Sequence, residues 1–265
     1  MTAQAARPFS FWSGRVTWME RLCAASAASV GQALTIFSYE PAELRKTGMP
    51  GTIVDANEVC DLSDAFNAHL KENSPRHYVD YFRLVGLQQQ RGTWVDLDCV
   101  LVRPLPDQLH LFGWERDGLC GAAILRLPPD SPTVAEFLAF LQVRPFKRVL
   151  PTWPWPRRLS QTVKHYRRLA LGRPATPISG PEALTCFATR NGVLDLALPK
   201  EVFYPVDSEE TLPLVSTGPD AGAFITPRTV AVHLWHTMFL RRHGASLPPP
   251  ASWLGKQCRA LGVTH

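Results

Sequence analysis

Two periods organise the apolar residues of this chain. Phe9-Ser10-Phe11-Trp12 is a short aromatic run closed by Ser13-Gly14, the pattern of a buried strand that ends in a loop. Thr17-Trp18-Met19-Glu20 has the spacing of a capping box, and Met19, Leu22, Cys23, Ser26 and Val30 recur at helical intervals up to a stop at Gly31. Ala33-Leu34-Thr35-Ile36-Phe37-Ser38-Tyr39 is again β-prone. Strand, helix and strand at this length open a nucleotide-binding α/β domain, whose ligands sit at the carboxyl ends of the strands, where Trp12, Ser38 and Tyr39 fall. Ile53-Val54-Asp55-Ala56, Gly113-Trp114-Glu115 and Gly121-Ala122-Ala123-Ile124-Leu125 continue the strand series. Ser131-Pro132 opens a further helix with Val134, Phe137, Leu138 and Leu141 on its apolar face.

The densest chemistry lies between these elements. Ser74-Pro75 reads as N-cap and first helical residue and Gly92 as a stop, which predicts a helix over 75–91 with Asp80 and Arg83 on one face. Thr93-Trp94-Val95-Asp96 then forms a strand, and side-chain alternation delivers Asp96 and Asp98 to one side of its end. Two carboxylates delivered together call for a cation, and hard oxygen ligands favour Mg²⁺ or Mn²⁺, which keep positions open for phosphate oxygens.

Asp80-x-x-Arg83 followed by Gly92-x-Trp94-x-Asp96-x-Asp98 resembles the DXD-containing glycosyltransferases of the sugar-binding-region family, relatives of α-1,4-galactosyltransferases, fungal mannosyltransferases and clostridial glucosylating toxins. Further matches follow in the family's order. Phe11-Trp12-Ser13-Gly14 resembles its aromatic-Trp-x-Gly turn, Gly180-Pro181 the start of a late helix, Tyr204-Pro205 its Tyr-Pro segment, and Thr229-Val230-Ala231-Val232-His233-Leu234-Trp235 its last strand with a His-x-Trp ending. Cys120-Gly121 departs from the family, many of whose members carry asparagines there.

The resemblance implies an α/β chain of GT-A type, a Rossmann-like nucleotide-sugar-binding fold with a mixed central sheet flanked by helices. It also implies a hexose moved from a nucleotide-sugar donor, UDP-hexose ahead of GDP-hexose, to a glycan or lipid-linked acceptor in polysaccharide or glycolipid synthesis, with retention. By the same resemblance Asp80, Arg83 and Asp96 are catalytic, and Trp12, Tyr39, Asp80, Arg83, Asp96 and Trp235 bind the donor. Asp98, Asp96 and His233 hold the metal; an imidazole among the ligands suits Mn²⁺ better than Mg²⁺. Trp235 is expected two residues beyond His233 on the same strand face.

Composition adjusts the picture. A chain of 265 residues with 45% hydrophobic content can bury a good core, and one domain over 1–246 is expected, with a basic helical insertion around 144–173 and a C-terminal tail over 247–265 behind Leu247-Pro248-Pro249-Pro250. No apolar run reaches the ~18 residues of a membrane span, and the start lacks a basic-then-apolar leader pattern, so a cytoplasmic protein is expected. Six scattered cysteines without a Cys-x-x-Cys argue against zinc and against a disulfide framework.

The net charge of +5 asks for an anionic partner. Arg144, Lys147, Arg148, Arg157 and Arg158, and then Lys164 to Arg173, run without one acid and with Trp153, Trp155 and Tyr166 interleaved. That composition suits peripheral contact with an anionic membrane at its inner face, and equally a solvated helical face. No nucleic-acid-binding pattern is present. Two other functions stay open: a haloacid-dehalogenase-like phosphatase with Asp96 as nucleophile in Val95-Asp96-Leu97-Asp98-Cys99-Val100, and a non-catalytic carbohydrate-binding module.

Overall fold

The computed structural model describes residues 7–73, 75–143, 148–173, 178 and 180–264. Strand β1 (Pro8–Phe11) is buried at all four residues, as a strand covered on both faces must be. Helix α1 (Trp18–Ser29) follows. Its expected capping box is present: Thr17 Oγ1 accepts from the Met19 N–H, and the Glu20 carboxylate accepts from the Thr17 N–H at 2.6 Å. After it come β2 (Thr35–Ser38), α2 (Pro41–Lys46), β3 (Thr52–Asp55), α3 (Ala65–Asn73) and α4 (Pro75–Gln88). The expected N-cap of α4, Ser74, lies outside the described residues, as do Arg144 and Lys147.

Helix α4 ends at Gln88, short of the expected Gly92 stop; Gln90 takes the left-handed φ of +59°, and Gly92 at φ +126° leads into β4 (Thr93–Val95). The later elements are β5 (Cys99–Leu101), β6 (Leu111–Arg116), β7 (Leu119–Arg126), α5 (Pro132–Gln142), α6 (Trp155–Ala170), α7 (Gly180–Arg190), α8 (Leu212–Val215), β8 (Ala231–His233), α9 (His236–His243) and α10 (Trp253–Ala260).

Six strands form one sheet in the order β3-β2-β1-β4-β7-β6. The first four run parallel, and β7 is antiparallel to both of its neighbours, so the expected mixed α/β sheet flanked by helices is present. The chain winds outward from β1 to β2 and β3, then returns to lay β4 on the other side of β1. That reversal is a topological switch point, and it opens a crevice beyond the carboxyl ends of β1 and β4.

Alternation along the strands assigns the layers. Phe9, Phe11, Phe37 and Trp94 face a cluster with Tyr78 and Phe82 of α4, Phe137 of α5 and Leu184 of α7. Ile36, Val95 and Ile124 face the opposite cluster with Ala24 and Ala27 of α1 and with Tyr204. A third cluster joins Trp18 and Leu22 of α1 to Val100 and Val232 of the small β5-β8 sheet and to α8, α9 and α10.

The C-terminal segment is therefore no free tail. Trp253, Leu254 and Cys258 are buried in the third cluster, and Ser252 binds the preceding turn, donating to Pro249 O and accepting from the Gly255 N–H. The last strand is shorter than the apolar run suggested. It ends at His233, and Trp235 turns out of it with φ +59° to become the N-cap of α9. Among the described residues, no helix is long and apolar enough to cross a membrane.

Candidate active site

The crevice at the switch point is a cavity of about 600 Å³. Ser10 to Ser13 of the β1 end form one wall, Tyr78, Val79 and Arg83 of α4 a second, Asp96, Leu97 and Asp98 beyond β4 a third, and His236 and Thr237 at the start of α9 a fourth. The structure thus brings Trp12, Arg83, Asp96 and Asp98 to one cavity. Both aspartates reach it because β4 ends at Val95: the Asp96 N–H still bonds Ala123 O at 2.7 Å, while the Cys99 N–H closes a turn back onto Asp96 O.

Asp80, Arg83 and Asp96 form one charged network. Arg83 donates to Asp80 Oδ1 at 3.2 Å and to Asp96 Oδ1 at 2.9 Å, and the Trp94 indole N–H reaches the same Asp96 oxygen at 2.6 Å. The guanidinium also lies 4.8 Å from the centre of the Trp94 ring. This holds Arg83 in one orientation, since its fork has partners on two sides and an aromatic face beneath. Burial pushes the Asp80 carboxyl up to about 6 even though Arg83 pulls the other way. Burial likewise raises Asp96, again opposed by Arg83.

Asp80 stands behind Arg83 and not in the cavity wall, where direct contact with a donor was expected of it. It is covered by the start of α7: a methyl group on Gly180 would collide with its carboxylate. Asp80 therefore acts on the cavity through Arg83.

Asp98 anchors a second network. Its Oδ1 lies 3.1 Å from His233 Nε2, and its Oδ2 accepts the His236 N–H at 3.0 Å. Register explains the first contact, because Cys99 and His233 are directly paired between β5 and β8. Burial alone would raise Asp98, but the His233 charge and hydrogen bond and the His236 N–H outweigh it and hold the carboxyl at about 2. His233 responds in kind: burial disfavours its charge, yet Asp98 raises it above the ordinary histidine value. Only 16% of the Asp98 side chain is exposed, and both of its oxygens are engaged.

Asp98, Cys99 and His233 each offer a ligand atom within 4.8 Å of the others. Burial pushes the Cys99 thiol far up. His233 Nδ1 is buried without a partner. The Asp98 carboxylate and the His233 imidazole suit a hard or borderline divalent cation.

Two expected donor residues are placed elsewhere. Trp235 donates its indole N–H to Val206 O at 2.8 Å and packs against His233 and Tyr204 outside the cavity. The Tyr39 hydroxyl bonds Cys60 O at 2.6 Å and the Tyr78 hydroxyl, and it is Tyr78 that reaches the cavity.

Sequence reading also missed residues. His236 lines the cavity with its Nε2 3.3 Å from Glu20 Oε1, a charge contact without hydrogen-bond geometry, and Glu20 is wholly buried in α1. The Glu20 pairing raises His236. Lys71 of α3 lines the mouth and lies 5.2 Å over the Tyr39 ring. Ser10 faces in with a buried hydroxyl that lacks a partner. Ser10 left one signal, a polar residue inside an aromatic strand; Glu20 was legible only as a helix cap.

No family model matches the chain, and no curated protein matches it. Among solved structures, it is similar to one described as "PaToxG Glycosyltransferase", at a TM-score of 0.40 and 16% sequence identity, over 72% of this chain and 87% of that chain.

Proposed function

We propose that the chain is a metal-dependent glycosyltransferase of GT-A type that moves a hexose from a nucleotide-sugar donor to a glycan or lipid-linked acceptor. The observation that carries this reading is the opening of Asp96 and Asp98 into one cavity at the sheet's switch point, beside Arg83 and Trp12. The sequence resemblance assigns those residue types to a donor site, and the cavity's volume suits a ligand of that size.

In this reading Trp12, half-buried past the end of β1, offers its ring to the nucleobase. Asp96, fixed on one oxygen by Arg83 and Trp94, presents its remaining lone pairs to ribose or sugar hydroxyls. Arg83, aligned by Asp80, supplies fixed positive charge beside the scissile bond, where preorganised charge is worth most. Asp98 and His233 would hold Mn²⁺. When bound, that ion offsets the charge that grows on the departing diphosphate. Double displacement requires a free carboxylate on the far face of the sugar. Of the described carboxylates that line the cavity, Asp98 is held by His233 and Glu20 by Thr17, while Asp96 keeps one oxygen clear of Arg83 and Trp94, so double displacement and same-face attack both stay open to a retaining reaction.

Titration of UDP and GDP with and without Mn²⁺ tests the proposal. Binding is expected to tighten at least about tenfold with Mn²⁺, as expected of a diphosphate held through the ion, and to lose that gain in Asp98→Asn. The gain is also expected to grow from pH 6 to 8, because His233 must give up its proton to become a ligand. Equal affinity with and without the ion would remove the metal from the account.

A further inference from the structure

Helix α6 (Trp155–Ala170) carries Trp155, Leu159, Val163, Tyr166 and Leu169 at intervals of three and four residues, which places them along one stripe. A stripe of that kind ordinarily faces a core. Here all five are 44% to 71% exposed, and the helix's buried residue is His165. A contiguous apolar strip on a surface marks something that covers it.

The charge around the stripe says what. Arg158, Lys164 and Arg167 border it, and the sequence holds no acid between residues 144 and 181. A second copy of the chain would bring two arginine-rich faces together; Glu182, 2.9 Å from Arg157, offsets one of those charges, and like-charge repulsion between the others opposes the pairing. A helix of 16 residues is about 24 Å long, too short to cross a bilayer of ~30 Å. It has the dimensions and composition of a helix that lies in the interface plane. Trp155 and Tyr166 would then sit at headgroup depth, with the arginines reaching the phosphates from either side.

The insertion is also firmly rooted. On its N-terminal side Arg148 donates to His77 Nδ1 at 2.9 Å, and beyond its C-terminal end Ile178 O meets His77 Nε2 at 3.1 Å. Both ends of the insertion thus return to one histidine of α4, the helix that carries Asp80 and Arg83.

We infer that α6 docks the protein peripherally on anionic lipid bilayers, with the apolar stripe in the interface and its flanking arginines and lysine on lipid phosphates. This surface is separate from the cavity, and the inference stands independently of the transferase reading.

Flotation of the full chain with vesicles of phosphatidylcholine alone, or with a third of the lipid as phosphatidylserine, tests it. The protein is expected to bind the anionic vesicles at least about tenfold more tightly than the neutral ones, as several basic residues at about fivefold each would give. Two variants report separately: Trp155→Ser with Leu159→Ser and Tyr166→Ser, and Arg158→Glu with Arg167→Glu. Each is expected to lose about tenfold or more in anionic-vesicle binding, with an unchanged circular dichroism spectrum, since every substituted side chain is exposed. Equal binding to both vesicle types, binding to neither, or undiminished binding by both variants would overturn the inference. So would a concentration-dependent dimer that the serine substitutions dissolve, which would make a second copy the occupant.

Discussion

Asp80 shows how burial can turn a carboxylate into a pH-sensitive structural element. Its folded value of about 6 lies above the ordinary 3.8. The stability it contributes is therefore fully present below about pH 4 and is lost as pH rises through 6, with a swing of about 2–3 kcal/mol. Asp98 has the opposite sign and a separate window: held at about 2, it stabilises above pH 4 and stops doing so as pH falls through 2. Asp80→Asn is thus expected to flatten the fall in melting temperature between pH 4 and 7 while leaving the acid limb alone. A parallel fall in variant and parent would show that Asp80 is not the titrating group. At this scale alternation made Asp96 and Asp98 legible as a pair and helical spacing put Asp80 and Arg83 on one face, while Trp12 followed from its place at a strand's carboxyl end and from the family resemblance. The sequence could not reveal Glu20 beside His236, whose proximity depends on how α1 meets α9 across the fold. Nor could it show that Trp235 leaves its strand, since a left-handed residue there has no glycine or asparagine to announce it.

Elements with a strong local period were read closest to their true limits. The helix carrying Asp80 ends a few residues before the expected stop, and the β1-α1-β2 opening is as the pattern required. What escaped were short elements made by tertiary pairing. Strand β5 has three residues and is defined by its partner β8, and α9 is polar over much of its length. Helix α7 matters to the site through its first residue. Gly180→Ala would drive a methyl group into Asp80, so the variant is expected to lose about 1–3 kcal/mol of stability and to weaken turnover through the shift of Arg83. Unchanged stability and activity would mean that α7 does not buttress the network.

Across the whole molecule, the surprise is how far the C-terminal segment is built in. Trp253 and Leu254 share a cluster with Trp18, Leu22 and Phe239, and the proline stretch before them hid that by reading as a linker. Deleting 247–265 removes two large buried side chains at about 2–3 kcal/mol each and opens a cavity, a large fraction of the roughly 5–15 kcal/mol that holds a domain. The truncated chain is expected to lack a cooperative melting transition, and a transition within a few degrees of the parent's would show the segment to be dispensable. The same breadth of folding joins β1, α4 and the turn after β4 around one cavity, where the proposed function has a nucleotide-sugar split. The decisive measurement is release of nucleoside diphosphate from a panel of UDP- and GDP-hexoses, followed with and without Mn²⁺. Mn²⁺-dependent release from at least one donor is expected, reduced about 10²–10³-fold in Asp98→Asn. Release of inorganic phosphate, or turnover indifferent to Mn²⁺ and to Asp98→Asn, would contradict the proposed function.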